Sequence, residues 1–220
     1  MGKFRAIALI ASSFFLLNSC IGGPSTTEQE SIQKEKLSQK DLDKLSTAYF
    51  ASGCFWCVEA VYESVKGVKE VVNGYSGGHT ENPTYESSNT GTTGHAEAVA
   101  VYYDPSEVDF ATLVKVYYGS QDPTTVNGQG PDFGSQYRSI LFYSTDSEKK
   151  IIEEYMAIVS KEYSKPLATE IQEFKKFWVG EDYHQDYERL HPNHGYIRNV
   201  SVPRLNRFQE KFPELIKAKH

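Results

Sequence analysis

Apolar positions in this chain alternate in some stretches and recur with helical spacing in others. Residues 47–52 form a short apolar run closed by Gly53, the pattern of a buried strand. Cys54, Val58, Val61 and Val65 then fall at i, i+4, i+7 and i+11, one face of a helix, and Gly67 supplies its stop. β-Branched alternation over 68–75 predicts a second strand, followed by a Gly-, Asn-, Thr- and Ser-rich loop over 76–94. Residues 96–103 read as a third strand turned by Asp104-Pro105, and Ser106 with Asp109 resembles a capping box for a helix ending near Tyr118. A loop over 119–136 is rich in Gly, Pro, Asn and Gln, and loops of that length inside a domain are often functional. A strand over 137–143, a helix capped by Thr145 and Glu148 and running to Tyr163, and a short strand over 168–174 complete the pattern. The remainder reads as irregular until a terminal helix over 203–217, and no internal repeat is present.

The order over 47–143 is β-α-β-β-α-β. It predicts an α+β fold, a two-layer sandwich with a ferredoxin-like core and an irregular C-terminal extension. At 220 residues, with 39% hydrophobic and 13% aromatic side chains, the chain has material for one packed core and needs no disulfide staples.

Residues 1–20 differ from the rest. Lys3 and Arg5 precede twelve uncharged residues, 6–17, too few to span a bilayer but suited to a secretory leader. Leu17-Asn18-Ser19-Cys20 closes the run and resembles a bacterial lipoprotein signal, in which Cys20 is acylated and becomes the mature N-terminus. That implies an exported protein held to a membrane of the cell envelope through an N-terminal lipid. Residues 21–46 are Ser-, Gln-, Glu- and Lys-rich and carry no aromatic residue, so they read as a flexible linker, with a transient helix possible over 31–45. The remaining domain is 47–220. Losing the leader removes two positive charges and no acid, taking the net charge from −6 to −8. With no basic cluster on the domain, nucleic-acid binding is disfavoured and a polybasic lipid patch is absent.

Cys54 and Cys57 are the only cysteines beyond Cys20. A helix starting at Gly53–Cys54 places Cys54 at the positive end of the helix dipole, which should lower its pKa below the free value of about 8.5. Cys57 lies one turn on, with Cα atoms about 5–6 Å apart, within reach of a disulfide. Cys54 is thus the better nucleophile and Cys57 the resolving thiol. Cys-x-x-Cys alone would equally fit a thioredoxin-like oxidoreductase or a pair of buried structural thiols. A metal site of Cys54, Cys57, His191 and His194 is disfavoured, because its halves lie far apart and the first would sit inside an apolar helix. Phe55 and Trp56 can wall a pocket for a small apolar group.

Gly53-Cys54-Phe55-Trp56-Cys57-Val58-Glu59 resembles the active-site signature of the A-type peptide methionine sulfoxide reductases, in the form with a second cysteine in the signature. Gly74-Tyr75-Ser76-Gly77-Gly78, Asn82-Pro83-Thr84-Tyr85, Thr93-Gly94-His95-Ala96-Glu97, Gly128-Gln129-Gly130-Pro131-Asp132-Phe133-Gly134-Ser135-Gln136-Tyr137 and Glu181-Asp182-Tyr183-His184-Gln185-Asp186-Tyr187 match in the same order. The resemblance implies that Cys54 attacks the sulfur of methionine S-sulfoxide, free or in proteins, while Glu97 protonates its oxygen. A carboxyl on an apolar strand should have a raised pKa and hold that proton near neutrality. Tyr85 and Tyr137 match donors to the sulfoxide oxygen, Asp132 a polar member of the pocket, and Phe55 with Trp56 would hold the methyl group. His95 and His184 are expected to be structural, and His191-Pro192-Asn193-His194 to order the C-terminal loop. The implied cycle runs through a sulfenic acid on Cys54 and a Cys54–Cys57 disulfide, reduced by a thioredoxin-like dithiol, with no bound cofactor or metal. A monomer is expected. Two positions depart from the family pattern: no cysteine follows Cys57, and Gln121 stands where a histidine is usual.

A general thiol–disulfide oxidoreductase would need both cysteines but be indifferent to Glu97, Tyr85 and Tyr137. A binding module for oxidised surface proteins would need the aromatic pocket and neither thiol.

Overall fold

The computed structural model describes residues 37–218; the leader, Cys20 and most of the linker lie outside them. Six strands form one sheet: β1 (Ser46–Ser52), β2 (Val68–Ser76), β3 (Ala96–Tyr103), β6 (Ser139–Tyr143), β7 (Glu170–Glu173) and β8 (Phe177–Val179), in the order β7-β6-β1-β3-β2-β8. β4 (Gly128–Gln129) and β5 (Asp132–Phe133) make a separate small hairpin. The central four, β6-β1-β3-β2, are mutually antiparallel neighbours, with β3 inserted between the two strands that the first helix joins. This is the split βαβ arrangement that the element order predicted.

β3 is buried on both faces, and its two-residue period decides what each face carries. Val99, Val101 and Tyr103 join the main core with Val58, Val61 and Tyr62 of α1 (Phe55–Glu63), Leu113, Val114 and Tyr117 of α2 (Phe110–Gly119) and Ile152 of α3 (Asp146–Val159). Ala96 and Ala98 face the other way, into a thinner cluster with Ala51, Ile140 and Phe142, covered by Tyr49, Phe174 and Phe177. Small side chains on that face let the 174–177 segment lie close, and Tyr49 stacks on Phe174 with centroids 3.7 Å apart. Glu97 shares its parity with Val99, so it lies on the helix-bearing face.

Several boundaries differ from the sequence reading. Asp109 alone caps α2, accepting from Thr112 N at 2.7 Å, whereas Ser106 donates to Asp104 within the preceding turn. α3 is capped by Thr145 as expected but ends at Val159. Tyr137 lies in a 3-10 turn, Ser135–Tyr137, ahead of β6. The terminal helix α4 (Val202–Lys211) follows a π turn, Ile197–Ser201, and gives way to a 3-10 turn at Pro213–Leu215. One-turn helices form at Gln39–Leu42 and Tyr85–Asn89.

β8, in the stretch read as irregular, docks on β2 because Gly74 lets the backbones close. A Cβ at Gly74 would stand 2.2 Å from the Trp178 carbonyl oxygen and 2.5 Å from the Phe177 ring. Gly74→Ala is therefore expected to cost about 1–3 kcal/mol in urea unfolding, the cost of overpacking a closed contact. An unchanged midpoint would mean that β8 yields freely.

Candidate active site

β1 ends at Ser52, and Gly53, with a φ of +84°, lets the chain turn from strand to helix. A Cβ there would lie 2.7 Å from the Gln129 side chain, so the same position also admits the long loop against the turn. Cys54 is the N-cap of α1 and, with Cys57, is a buried free thiol. The backbone N–H of Phe55 donates to Glu97 Oε2 at 3.0 Å. Register with Tyr75 on β2 fixes Glu97 at the end of the sheet beneath this helix N-terminus.

This overturns one expectation. The first N–H of α1 binds the Glu97 carboxyl, and Cys54 makes no capping hydrogen bond. Burial, joined by neighbouring Cys57, pushes the Cys54 thiol well above its ordinary value. Cys57 is lowered to about 6, by its hydrogen bond with Cys54 first and, against the opposing effect of burial, by Arg204, Ser201 and Tyr196. The two shifts run in opposite directions across the pair, so the anion is favoured on Cys57 over Cys54. Glu97 is raised to about 8, mainly by burial and further by the charges of Asp132 and Cys57, although the Phe55 N–H favours its ionised form. It is a carboxylic acid at neutral pH.

An aromatic enclosure surrounds the thiols. Phe55 lies 6.3 Å from Trp56 and 6.4 Å from Tyr85 between ring centroids. Trp56 stacks flat on Tyr187 at 3.8 Å and donates its Nε1–H to His184 Nδ1 at 3.2 Å. His184 is fully buried, and burial lowers its pKa, so it stays neutral and can accept that proton. Tyr85 and Tyr137 both feel the charges of Glu97 and Cys54, and burial raises both phenols. They are neutral hydroxyls near enough to the thiol and the acid to be influenced by both. Asp132, on β5, accepts from Tyr196 Oη at 2.5 Å, and Tyr196 Oη lies 3.7 Å from Cys57 Sγ. Cys54, Cys57, Phe55, Trp56, Tyr85, Glu97, Asp132 and Tyr137 therefore converge on one place.

Residues that the sequence did not single out complete it. Glu181 accepts from Tyr75 Oη and from Tyr85 N, each at 2.8 Å, and so pins Tyr85 at the site. Tyr196 bridges Asp132 to Cys57, and Arg204 lies behind the thiols. Glu181 sat in a quoted motif, whereas Tyr196 and Arg204 carried no local signal. His95 ties the 76–94 loop, accepting from Gly78 N and contacting the Thr80 carbonyl. His194 packs edge-on against Trp56 at 6.3 Å. Gln121 accepts from Ser139 and Gln129 side chains, bracing the turn after α2. Among the described residues, no three His, Cys, Asp or Glu side chains are grouped to hold a metal ion. Tyr196→Phe is expected to leave the fold intact but free Asp132 from its hydrogen bond; an unchanged rate of disulfide formation between the thiols would show the bridge to be idle.

Fold and site together define a thiol-based oxidoreductase: a cysteine pair at a strand–helix turn, a protonated carboxyl and an aromatic enclosure. The sequence pattern of the peptide methionine sulfoxide reductase family matches residues 46–216. A peptide methionine sulfoxide reductase MsrA of Rhodopirellula baltica is 46% identical over 171 residues, covering 78% of this chain and 89% of that protein. One from Saccharolobus solfataricus is 44% identical over 173 residues, covering 79% and 98%. Among solved structures, methionine sulfoxide reductase A of Corynebacterium diphtheriae superposes with a TM-score of 0.62 at 33% identity, covering 67% of this chain and 76% of that one. Reduced Mxr1 from Saccharomyces cerevisiae gives 0.64 at 31%, covering 68% and 87%. The chain belongs to the peptide methionine sulfoxide reductase family, as an enzyme of the A type.

Proposed function

We propose that this enzyme reduces the S epimer of methionine sulfoxide, free or within proteins, with Cys54 as nucleophile and Glu97 as acid. The carrying observation is the Glu97 carboxyl, protonated at neutral pH and bonded to Phe55 N beside the Cys54 thiol. Phe55 and Trp56 offer an apolar wall for the methyl group, and Tyr85 and Tyr137 offer hydroxyls to the oxygen.

Cys54 Sγ attacks the sulfoxide sulfur while Glu97 gives its proton to the oxygen. The Cys54 thiol proton replaces it on Glu97, methionine departs, and Cys54 is left as a sulfenic acid. Cys57 thiolate then attacks Cys54 Sγ; the S–O bond breaks, and hydroxide leaves as water with the Glu97 proton. A thioredoxin-like dithiol reduces the disulfide by exchange, becoming oxidised itself and returning two protons to the Cys54, Cys57 and Glu97 set. Cys57, a buried free thiol one turn along α1 from Cys54, takes the resolving step within the chain, in keeping with the two-cysteine signature.

The reading extends to the N-terminus. The family match begins at residue 46. Residues 1–20, with Cys20 as lipidation site, act as a lipoprotein signal, and 21–46 as the tether carrying a monomeric catalytic domain, 47–220, at the envelope membrane.

The test is to offer the two epimers of a blocked methionine sulfoxide separately, with dithiothreitol as reductant. Consumption of the S epimer and persistence of the R epimer is expected. Failure to consume the S epimer, or equal consumption of both, would overturn the proposal.

A further inference from the structure

Arg204, on the first turn of α4, is a buried cation at 8% exposure. Its Nε donates to the Ser120 carbonyl at 2.8 Å, Nη1 to the Ser52 carbonyl at 2.9 Å and Nη2 to Ser52 Oγ at 3.0 Å. These bonds fix its plane between the end of β1 and the end of α2. They solvate the charge without neutralising it, and among the described residues no carboxylate forms an ion pair with it. Nη1 would lie 3.6 Å from a Cβ at Gly53, the residue before Cys54, and Arg204 lines one cavity of about 660 Å³ together with Cys57.

A guanidinium removed from water without a counter-ion is costly to keep. Three acidic groups feel its charge: Tyr62, Asp132 and Cys57. Tyr62 is neutral, donating its hydroxyl to the Leu113 carbonyl. Asp132 and Cys57, joined through Tyr196, line the cavity with Arg204, and of the two Cys57 is the one that reacts. We propose that Arg204 is a positioning residue for the resolving step: it is the buried counter-charge that keeps Cys57 an anion, ready to attack oxidised Cys54. The inference rests on the sulfoxide-reductase reading and adds to it the group that sets the timing of its second stage.

The other groups facing Cys57 are Cys54 on its own helix, Tyr196 and Ser201 from the chain leading into α4, and Glu97 of β3, whose carboxyl Cys57 influences; Asp132 of β5 reaches it through Tyr196. Tyr196 gives its hydroxyl proton to Asp132 and Ser201 gives its own to Glu188, so neither brings a charge to Cys57, and Glu97 is protonated. Arg204 is the one full positive charge among them. In the resolving step, Cys57 thiolate forms the S–S bond as the Cys54 S–O bond breaks, and hydroxide takes the Glu97 proton. A neutral Cys57 cannot take that role at a useful rate.

The test mixes reduced enzyme with methionine S-sulfoxide in the absence of any thiol donor and follows methionine release and disulfide formation separately across pH. For Arg204→Met, disulfide formation at pH 7 should slow about 3–10-fold, and its pH midpoint should rise by about one unit, the share of the Cys57 shift that one nearby charge supplies while the hydrogen bonds stay in place. Arg204→Lys should restore most of both. Ser52→Ala, which removes one hydrogen bond but no charge, should keep the wild-type midpoint. A slower reaction with an unmoved midpoint in Arg204→Met, or a Lys variant no better than Met, would make Arg204 a structural brace and overturn the proposal. If Arg204→Met does not fold, the Lys and Ser52→Ala midpoints decide, and a shift in either counts against it. Thiolate absorbance of the reduced proteins near 240 nm reads the same midpoint without substrate. A wild type that releases no methionine would therefore sink the reductase reading while leaving the Arg204 charge testable on its own.

Discussion

Cys54→Ser is expected to abolish methionine formation, a loss on the order of 10⁴–10⁶-fold, because a serine hydroxyl cannot attack sulfur and carry the oxygen away as a sulfenic acid does. The substitution removes one sulfur from a buried helix cap that makes no side-chain capping bond, so the fold should survive it. Cys57→Ser is expected to behave differently. It should release a first methionine without donor and then stall with Cys54 as a sulfenic acid, which a dimedone-type reagent would trap. The opposite pattern, an active Cys54→Ser and a Cys57→Ser inert from the first turnover, would exchange the two roles. The low pKa of Cys57 gives that outcome a physical route, which is why both variants are needed.

Glu97→Gln should lower the rate of the first turnover by about 10²–10⁴-fold, the range for removing a general acid. Glutamine keeps the shape and can still accept the Phe55 N–H, but it has no acidic proton to give. In the wild type, the rate should fall about tenfold per pH unit above about 8, as the carboxyl ionises. Stability follows the same proton. The Glu97 pKa is raised on folding, so the associated stabilisation is fully present below the ordinary value of 4.5 and fades as pH rises towards about 8. Glu97→Gln lacks that slope, and its thermal midpoint should gain on the wild type through this window. A variant that keeps its activity, or one whose midpoint falls steadily behind with pH, would remove Glu97 from the role of acid.

Much of this was readable from residue spacing. The period of β3 assigns Glu97 to the face of Val99 and Val101, and the i, i+3 thiols follow from a helix starting at Gly53. Phe55, Trp56, Tyr85, Tyr137 and Tyr187 all lie in short motifs, so the matched segments found them. What spacing could not carry was pairing between distant elements. Whether the first N–H of α1 meets a thiolate or a carboxyl depends on the register of β2 and β3, which sets Tyr75 opposite Glu97. Reading the helix dipole in isolation gave Cys54 the anion; the tertiary structure sets the Glu97 carboxyl on the first N–H, favours the anion on Cys57 and buries Cys54 more deeply than the dipole can offset. Arg204 acts on residues about 150 positions earlier, through backbone carbonyls that have no sequence signature. Tyr196 lies in a stretch with no periodicity, and β8 is three residues long.

The most direct test of the account takes the fully reduced wild-type enzyme, adds methionine S-sulfoxide and no thiol, and counts methionine while mapping disulfides. About one methionine per chain and a new Cys54–Cys57 bond are expected from a two-thiol cycle. No methionine, or one equivalent with both thiols still free and unoxidised, would contradict it.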